Sequence, residues 1–200
     1  MKRLVIPSAA LAVGGLLITD SASTSTAFHT PSTSTMSAMS SAAAVIPAAD
    51  HNDADVRFSQ MMIPHHRQAV DMAGLADTRA SRPQVKDLAK RIEAAQGPEI
   101  QTMSGWLRSW GMQVPSPGAM TMDHGNPGMM SEHAMKKLEG LSGAAFDKAF
   151  LEMMIQHHEG AIAMAEDEQR DGAYEPAKQL AGSIISSQSA EITTMKELLR

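Results

Sequence analysis

The chain has 200 residues and a net charge of −5, so it lacks the basic charge typical of nucleic-acid-binding proteins and we expect no nucleic-acid partner. Cysteine is absent, which excludes disulfide bonds, thiolate metal sites and cysteine nucleophiles. Hydrophobic residues make up 43% of the chain and aromatic residues only 4%, while 17 residues are methionine. This composition favours packed helices over a β-sheet, because sheets are enriched in β-branched and aromatic residues.

The N-terminus has the pattern of a secretory signal peptide. Two basic residues precede an apolar run from Leu4 to Ile18, and small and polar residues follow it. The apolar run is short for a helix that spans a membrane. We therefore predict a signal peptide over residues 1–27, with an uncleaved membrane anchor as the alternative. Its presence predicts export to the periplasm, the cell surface or the medium, and no membrane association after cleavage.

Composition and apolar spacing divide the rest of the chain. Residues 28–49 are rich in Ser, Thr and Ala and are predicted to be a disordered linker. A duplicated helical domain is predicted over 50–200, with halves at about 53–110 and 142–200 and a Met- and His-rich linker at 111–135. Apolar residues at helical spacing predict helices from Asp53 or Asp55 to about Arg79, from a capping box at Ser81 and Gln84 to Trp110, from about Ser131 to Leu138, from about Ser142 to Arg170, and from Pro176 onward.

One motif occurs twice in the chain, at residues 58–73 and 150–165. Each copy holds a Met-Met pair, a His-His pair that begins four residues after the start of the Met pair, and a further Met. The offset between the copies is 157 − 65 = 92 residues, and it persists without a gap into the following helices. A duplicated helical hairpin cannot bury its apolar face alone. The sequence therefore predicts an all-α fold, a four-helix bundle made of two duplicated helical hairpins.

The repeated motif brings imidazole and thioether groups to the helix face that meets the other helices. Together they form a soft ligand set that favours Cu(I), with Ag(I) as a chemical mimic, and offers little to Ca²⁺ or Mg²⁺. Adjacent helical residues point about 100° apart, which leaves room for one histidine of each pair to face outward. Alternatively, these side chains only fill the core. The candidate metal ligands are His65, His66, His157, His158, Met61, Met62, Met153 and Met154.

Polar residues recur on the second helix of each hairpin. Hairpin turns near Ala80 and Ala173 would place a glutamine of each second helix level with the histidine pair, and a glutamate follows one turn later. On an apolar face such groups need partners, and the ring N–H of a metal-bound histidine would provide one. We therefore predict hydrogen bonds to the metal-binding histidines from Gln96, Glu99, Gln188 and Glu191.

Further methionines and histidines are weaker candidates. Methionine at helical spacing usually fills a core, whereas methionine in a polar, Pro- and Gly-rich linker favours capture of a soft metal. The acidic residues around Glu168 are predicted to form a solvated helix end. The additional metal candidates are Met72, Met164, Met103 and Met195 on the helices, and Met120, Met122, His124, Met129, Met130 and His133 in the linker.

No known catalytic pattern is present. A di-iron site of the ferritin type needs Glu-x-x-His pairs, and none of the glutamates is followed by histidine at that spacing. The zinc-protease pattern fails because Ile162 stands where its second histidine is required. We therefore predict that the protein is not an enzyme.

At the repeated motif the chain resembles the domain of unknown function 305 family, over roughly residues 50–200. The hallmark of that family, Met-(Met/Ile)-x-x-His-His-x-x-Ala-(Ile/Val)-x-Met-Ala, commonly occurs twice in a secreted protein. The resemblance implies a ferritin-like four-helix bundle and copper binding linked to copper resistance. It also implies that the paired histidines and the neighbouring methionines are copper ligands. Pro64 and Arg67 depart from their duplicates Gln156 and Glu159, so the equality of the two halves stays open.

Three hypotheses follow, from different functional classes. The first is an exported Cu(I)-binding protein that sequesters, buffers or transfers copper, with another copper-handling protein as its partner. The second is an exported helical structural or interaction module whose histidines and methionines belong to the core. The third is a redox enzyme with a copper or iron centre. The sequence leaves the oligomeric state open.

Overall fold

The computed structural model of the chain describes residues 51–116 and 126–200. The predicted signal peptide at 1–27 and the predicted linker at 28–49 lie outside the described residues. Within the described ranges there is no β-strand, and no helix is long and apolar enough to cross a membrane. The helices are α1 (Asp53–Gly74), α2 (Ala76–Arg79), α3 (Pro83–Ser109), α4 (Glu132–Glu139), α5 (Gly143–Asp171) and α6 (Glu175–Leu198).

The four long helices form two hairpins. Helix α1 packs most extensively on α3, and α5 on α6. The hairpins meet mainly through α1 and α5, which come from the two copies of the repeated motif. The all-α, ferritin-like four-helix architecture predicted from the sequence is confirmed.

The helix ends differ from the predicted ones in two places. The first helix ends at Gly74 and not near Arg79, and the last residues of that stretch form the separate short helix α2. Pro64 lies inside α1 without ending it. The predicted capping box at Ser81 and Gln84 is wrong, because the N-cap residue of α3 is Arg82, and its side chain makes no capping hydrogen bond. The Ser81 hydroxyl donates instead to Asp147, on the other hairpin.

Two buried aspartates cap helices of the opposite half. Asp55 and Asp147 are equivalent in the duplication, since 147 − 55 = 92, and they are 0% and 3% exposed. Asp147 accepts hydrogen bonds from the backbone N–H groups of residues 81 and 82, at the start of α3. Asp55 accepts the equivalent bonds from residues 173 and 174, at the start of α6. Each half therefore satisfies the helix start of the other, where backbone donors would otherwise stay unpaired.

The buried interior is divided into two apolar clusters. One surrounds Phe146 and Phe150, at the level of the α2–α3 connection. The other surrounds Phe58 and Leu107, at the opposite end of the helices. Along each of the four long helices, polar side chains that are at most 3% exposed lie between the residues of the two clusters. Six of them, four histidines and two glutamines, are called the polar layer: His65, His66, Gln96, His157, His158 and Gln188.

Candidate metal centre

The centre of the polar layer is a contact between two histidines. The rings of His65 on α1 and His157 on α5 lie 3.7 Å apart between centroids, at an interplanar angle of 36°. All four histidines of the repeated motif are 0% exposed, so neither member of a pair faces solvent. The reason is that α1 and α5 each pack on two helices. Consecutive residues can therefore point at different neighbours and still be buried.

Burial keeps the central histidines neutral. Burial, with a smaller contribution from the nearby His66 ring, lowers the pKa of His65 to about 3. Burial likewise holds the pKa of His157 well below the ordinary range, with His65 as the next contributor. Two protonated rings could not remain in such contact in an apolar interior. The neutral imidazole that results is the form that binds metal ions.

Each half also contains a histidine–glutamate contact. His66 Nε2 lies 2.7 Å from Glu99 Oε2, and His158 Nε2 lies 2.7 Å from Glu191 Oε2. Because a carboxylate oxygen accepts, Nε2 carries a proton in both histidines, and the neutral form of each ring has its lone pair on Nδ1. The sequence predicts these two contacts, and the structure contains both. That they serve a metal site stays a prediction.

The two glutamines behave differently from the prediction. Gln96 and Gln188 lie in the polar layer, but neither hydrogen-bonds to a histidine. Both amide atoms of Gln96 and the Oε1 atom of Gln188 are buried without a hydrogen-bond partner. The glutamates already hold Nε2 of His66 and His158, so these ring N–H groups are not available to the glutamines.

Five ring nitrogens in the polar layer are buried without hydrogen-bond partners. They are Nδ1 of His65, His66 and His158, and both ring nitrogens of His157. Leaving a buried polar group unpaired costs about 1–3 kcal/mol, so several in one layer require an explanation. A soft metal ion would accept imidazole lone pairs, and this donor set fits Cu(I).

The histidines and carboxylates alone do not form a complete cage. Within residues 51–116 and 126–200, no three or more His, Cys, Asp or Glu side chains are placed so that they could hold a common ion. A metal site in the polar layer would therefore combine imidazoles with thioethers, the ligand type supplied by the adjacent methionines.

The methionines of the motif lie on both sides of the polar layer. Met62 and Met154 are fully buried, in opposite apolar clusters, whereas Met61 and Met153 are half-buried. Met61 lines a surface cavity of about 290 Å³ together with Met164 and Pro127. Met72, Met103 and Met195 are fully buried in the two clusters, which is the arrangement expected of core filling.

The linker candidates are spread out. Met129 is half-buried, Met130 is 8% exposed, and His133 is exposed on α4. Met120, Met122 and His124 lie outside the described residues.

A backbone contact to the central pair was not predicted from the sequence. The ring of His65 donates from Nε2 to the carbonyl oxygen of Pro127, over 3.0 Å. This carbonyl belongs to the linker, whose residues show no periodicity. The one available signal was a break in the duplication: Gln68 and Gly160 are equivalent, since 160 − 68 = 92, yet differ in type. Both contact this part of the linker.

A carboxyl pair was also missed. Glu168 is 1% exposed, so its predicted place at a solvated helix end is wrong. Burial, together with a hydrogen bond to Asp55, raises the pKa of Glu168 to about 8. Burial alone would raise the pKa of Asp55 as well. The bonds that Asp55 accepts, from Glu168 and from backbone N–H groups, lower it on balance. Glu168 therefore carries the proton of the pair at neutral pH.

Comparisons with known proteins identify the family. The DUF305 family, a domain of unknown function, matches residues 55–199. Among solved structures, a DUF305 protein from Streptomyces coelicolor for which secretion has been suggested is 36% identical, with a TM-score of 0.67 over 73% of this chain and 91% of that chain. A DUF305 fragment from Deinococcus radiodurans is 32% identical, with a TM-score of 0.67 over 74% of this chain and 96% of that fragment.

A third solved relative is a copper- and silver-binding protein. CopM in its Cu(II)-bound form is 36% identical, with a TM-score of 0.64 over 72% of this chain and 95% of that chain. CopM is also similar to this chain in its Cu(I)-bound, Ag-bound and apo forms. Among curated proteins no match was found. The chain belongs to the DUF305 family.

Proposed function

We propose that the protein is an exported, non-enzymatic Cu(I)-binding protein that sequesters, buffers or transfers copper through histidine and methionine side chains. One observation carries the proposal: five ring nitrogens of four fully buried histidines lie in the polar layer without hydrogen-bond partners. CopM, which is similar over most of the described residues, has Cu(I)-, Cu(II)- and Ag-bound forms, and this supports copper as the class of metal.

The histidine–glutamate contacts give the proposed ligands a defined orientation. A carboxylate that accepts from Nε2 fixes the ring and raises the basicity of the opposite nitrogen, Nδ1. His66 and His158 are held in this way by Glu99 and Glu191, both over 2.7 Å. Nδ1 of each would bind the metal. The thioethers of the motif methionines would complete the coordination, with soft donors that disfavour Ca²⁺ and Mg²⁺.

Export is part of the proposal. The basic and apolar N-terminal pattern is that of a signal peptide. Secretion has been suggested for the similar protein from Streptomyces coelicolor. An exported copper-binding protein would act on the metal before it enters the cytoplasm, in copper tolerance or homeostasis. Another copper-handling protein would be its partner in transfer.

One observation favours the second candidate, a structural module without a metal. Met72, Met103 and Met195 are 0% exposed and sit inside the apolar clusters, where they have a sufficient role as packing. In a purely structural module, however, the unpaired ring nitrogens would lower the stability of the fold and have no role.

The test is a competitive Cu(I) titration of the purified chain under reducing conditions. A variant with His65, His66, His157 and His158 all changed to Ala would be titrated beside it, with His51→Ala, a histidine outside the polar layer and the linker, as the control. We expect tight binding in the wild type and the control, and its loss in the fourfold variant at unchanged helical content. Binding that persists in the folded fourfold variant would move the site to the linker. No binding by the wild type would favour the structural module.

A further inference from the structure

One short segment of the linker crosses the central histidine pair, and we call it the strap (residues 126–130). Its first residue, Asn126, donates from Nδ2 to the carbonyl oxygen of Met61, over 3.0 Å. Its second, Pro127, accepts from Nε2 of His65 over 3.0 Å. The strap is therefore in direct contact with α1 at two positions within the first Met-His motif, and it reaches one of the two central rings.

Two positions that are equivalent in the duplication attach the strap to the bundle. Gln68 is fully buried and makes two hydrogen bonds with the backbone of Met130, at 2.9 Å from Nε2 to the carbonyl oxygen and at 2.7 Å from the backbone nitrogen to Oε1. Its counterpart Gly160 leaves the space that Pro127 and Gly128 occupy. A Cβ atom at residue 160 would clash with the Pro127 carbonyl oxygen and would lie 2.7 Å from Gly128 Cα.

The strap also needs its own glycine. Gly128 has φ = +77°, a backbone conformation that other residues adopt only with strain. A Cβ atom at this residue would lie 2.8 Å from the carbonyl oxygen of Gln156 and 2.9 Å from Gly160 Cα. The backbone of the strap thus lies directly on the backbone of α5, and neither backbone can move away as a flexible side chain could.

The strap makes the central pair unequal. A carbonyl oxygen can only accept, so the contact with Pro127 assigns the proton of neutral His65 to Nε2 and its lone pair to Nδ1. His157, the duplicate of His65, has no hydrogen-bond partner on either ring nitrogen. His157 is therefore free to present either nitrogen.

We propose that Gln68 and Gly160 are positioning residues for the metal centre: they hold the strap so that the Pro127 carbonyl fixes His65 as the Nε2–H tautomer and makes Nδ1 its metal-binding atom. The copper part of this inference rests on the proposed function. The tautomer part does not, because it concerns the metal-free protein. When a hydrogen bond to one ring nitrogen orients a histidine that binds metal through the other, its loss lowers metal affinity by about 10–100-fold.

The test compares Gly160→Ala with Gly105→Ala in the full chain. Both glycines are helical, but a Cβ atom at residue 105 meets nothing within 4 Å. The control therefore reports the effect of alanine in a helix without displacing the strap. Histidine ring ¹⁵N NMR of the metal-free protein reads the tautomer, and competitive Cu(I) titration reads the affinity. Gln68→Ala is the second variant, which removes the Met130 anchor and creates no clash.

We expect His65 to be Nε2–H in the wild type and in Gly105→Ala. In Gly160→Ala and Gln68→Ala we expect a mixture of tautomers and a Cu(I) affinity lower by about 10–100-fold. Unchanged His65 signals and unchanged affinity in both strap variants would overturn the inference. A tautomer change without Cu(I) binding by any protein, the wild type included, would support the positioning of His65 and refute the proposed function.

Discussion

His65 and His157 occupy equivalent positions in the two halves, and their rings contact each other at a centroid separation of 3.7 Å. Each histidine thus meets its own duplicate in the middle of the bundle. Burial lowers the pKa of both, so the contact is made by neutral rings. Their polar atoms interrupt what would otherwise be one continuous apolar core. Such an interruption lowers stability unless the atoms find partners.

Replacing His157 by Leu should raise the stability of the fold and lower its affinity for metal. Both ring nitrogens of His157 lack hydrogen-bond partners, so a leucine at this position removes two unpaired buried polar atoms. We therefore expect the free energy of unfolding to rise by about 1–2 kcal/mol in urea denaturation. Cu(I) affinity should fall in the same variant.

His66→Leu is the matched control for His157→Leu. It is equally buried, but its Nε2 is held by Glu99, which would lose its partner. We expect His66→Leu to lower the free energy of unfolding. If both substitutions changed stability by the same amount in the same direction, the unpaired ring nitrogens of His157 would carry no special cost.

The duplicated glutamates should contribute equally to metal binding. Glu99→Ala and Glu191→Ala each remove a carboxylate 2.7 Å from a histidine Nε2. We expect each to lower Cu(I) affinity by about 10–100-fold. Glu159→Ala removes an exposed glutamate from α5 and should leave affinity unchanged. Loss in only one of the two glutamate variants would show that one half binds the metal.

Asp147→Ala should destabilise the fold. The carboxylate accepts from two backbone N–H groups at the start of α3 and from the Ser81 hydroxyl, and it is 3% exposed. Loss of such a cap costs about 0.5–2 kcal/mol. The expected drop in the free energy of unfolding is measured by urea denaturation. Asp87→Ala, an exposed residue of α3, is the control and should stay within about 0.5 kcal/mol of the wild type. Equal values for the two variants would contradict a structural role of the inter-half cap.

Stability should fall as the pH rises from 4.5 toward 8. Glu168 has its pKa raised from 4.5 to about 8, so in this window the folded protein binds a proton that the unfolded chain has lost. The stabilisation is complete below pH 4.5 and is lost as pH rises through the folded pKa, with a limiting slope of about −1.4 kcal/mol per pH unit.

Glu168→Gln tests that slope, because the amide keeps the size of the neutral carboxyl and does not titrate. The pH dependence of unfolding in urea should flatten between pH 4.5 and 8 in this variant. Asp55 acts in the opposite direction and at lower pH. Its lowered pKa stabilises the fold above 3.8, and that contribution is lost as pH falls through the folded pKa. A wild-type profile that is already flat between pH 4.5 and 8 would contradict the shared proton.

The duplication made much of the fold predictable. A repeat of 92 residues, with the Met-His motif on one helix and Glu99 or Glu191 on the next, predicts two similar hairpins and the level at which their polar groups meet. The two His–Glu contacts follow from hairpin geometry, because helical rise and turn position together set the register of antiparallel helices.

The arrangement between the hairpins was not predictable in the same way. Periodicity indicates which face of a helix is buried, but not which helix covers it, so the contact of His65 with His157 could not be derived. The strap could not be predicted, because a contact made by a backbone carbonyl, as at Pro127, does not depend on residue type. Glu168 was misassigned since a glutamate near a helix end is ordinarily solvated. Its carboxyl pairs with Asp55, which is distant in sequence.

The caps at Asp55 and Asp147 have a consequence for how the two halves depend on each other. Asp55 accepts hydrogen bonds from residues 173 and 174, and Asp147 accepts them from residues 81 and 82. Each half therefore contacts the other through the same surface. This is the contact pattern of an isologous homodimer, here joined into one polypeptide. In one half expressed alone, the backbone N–H groups at the start of the second helix and the capping carboxylate on the first helix do not pair with each other. Pairing with a second copy would bring the donors of each half against the carboxylate of the other.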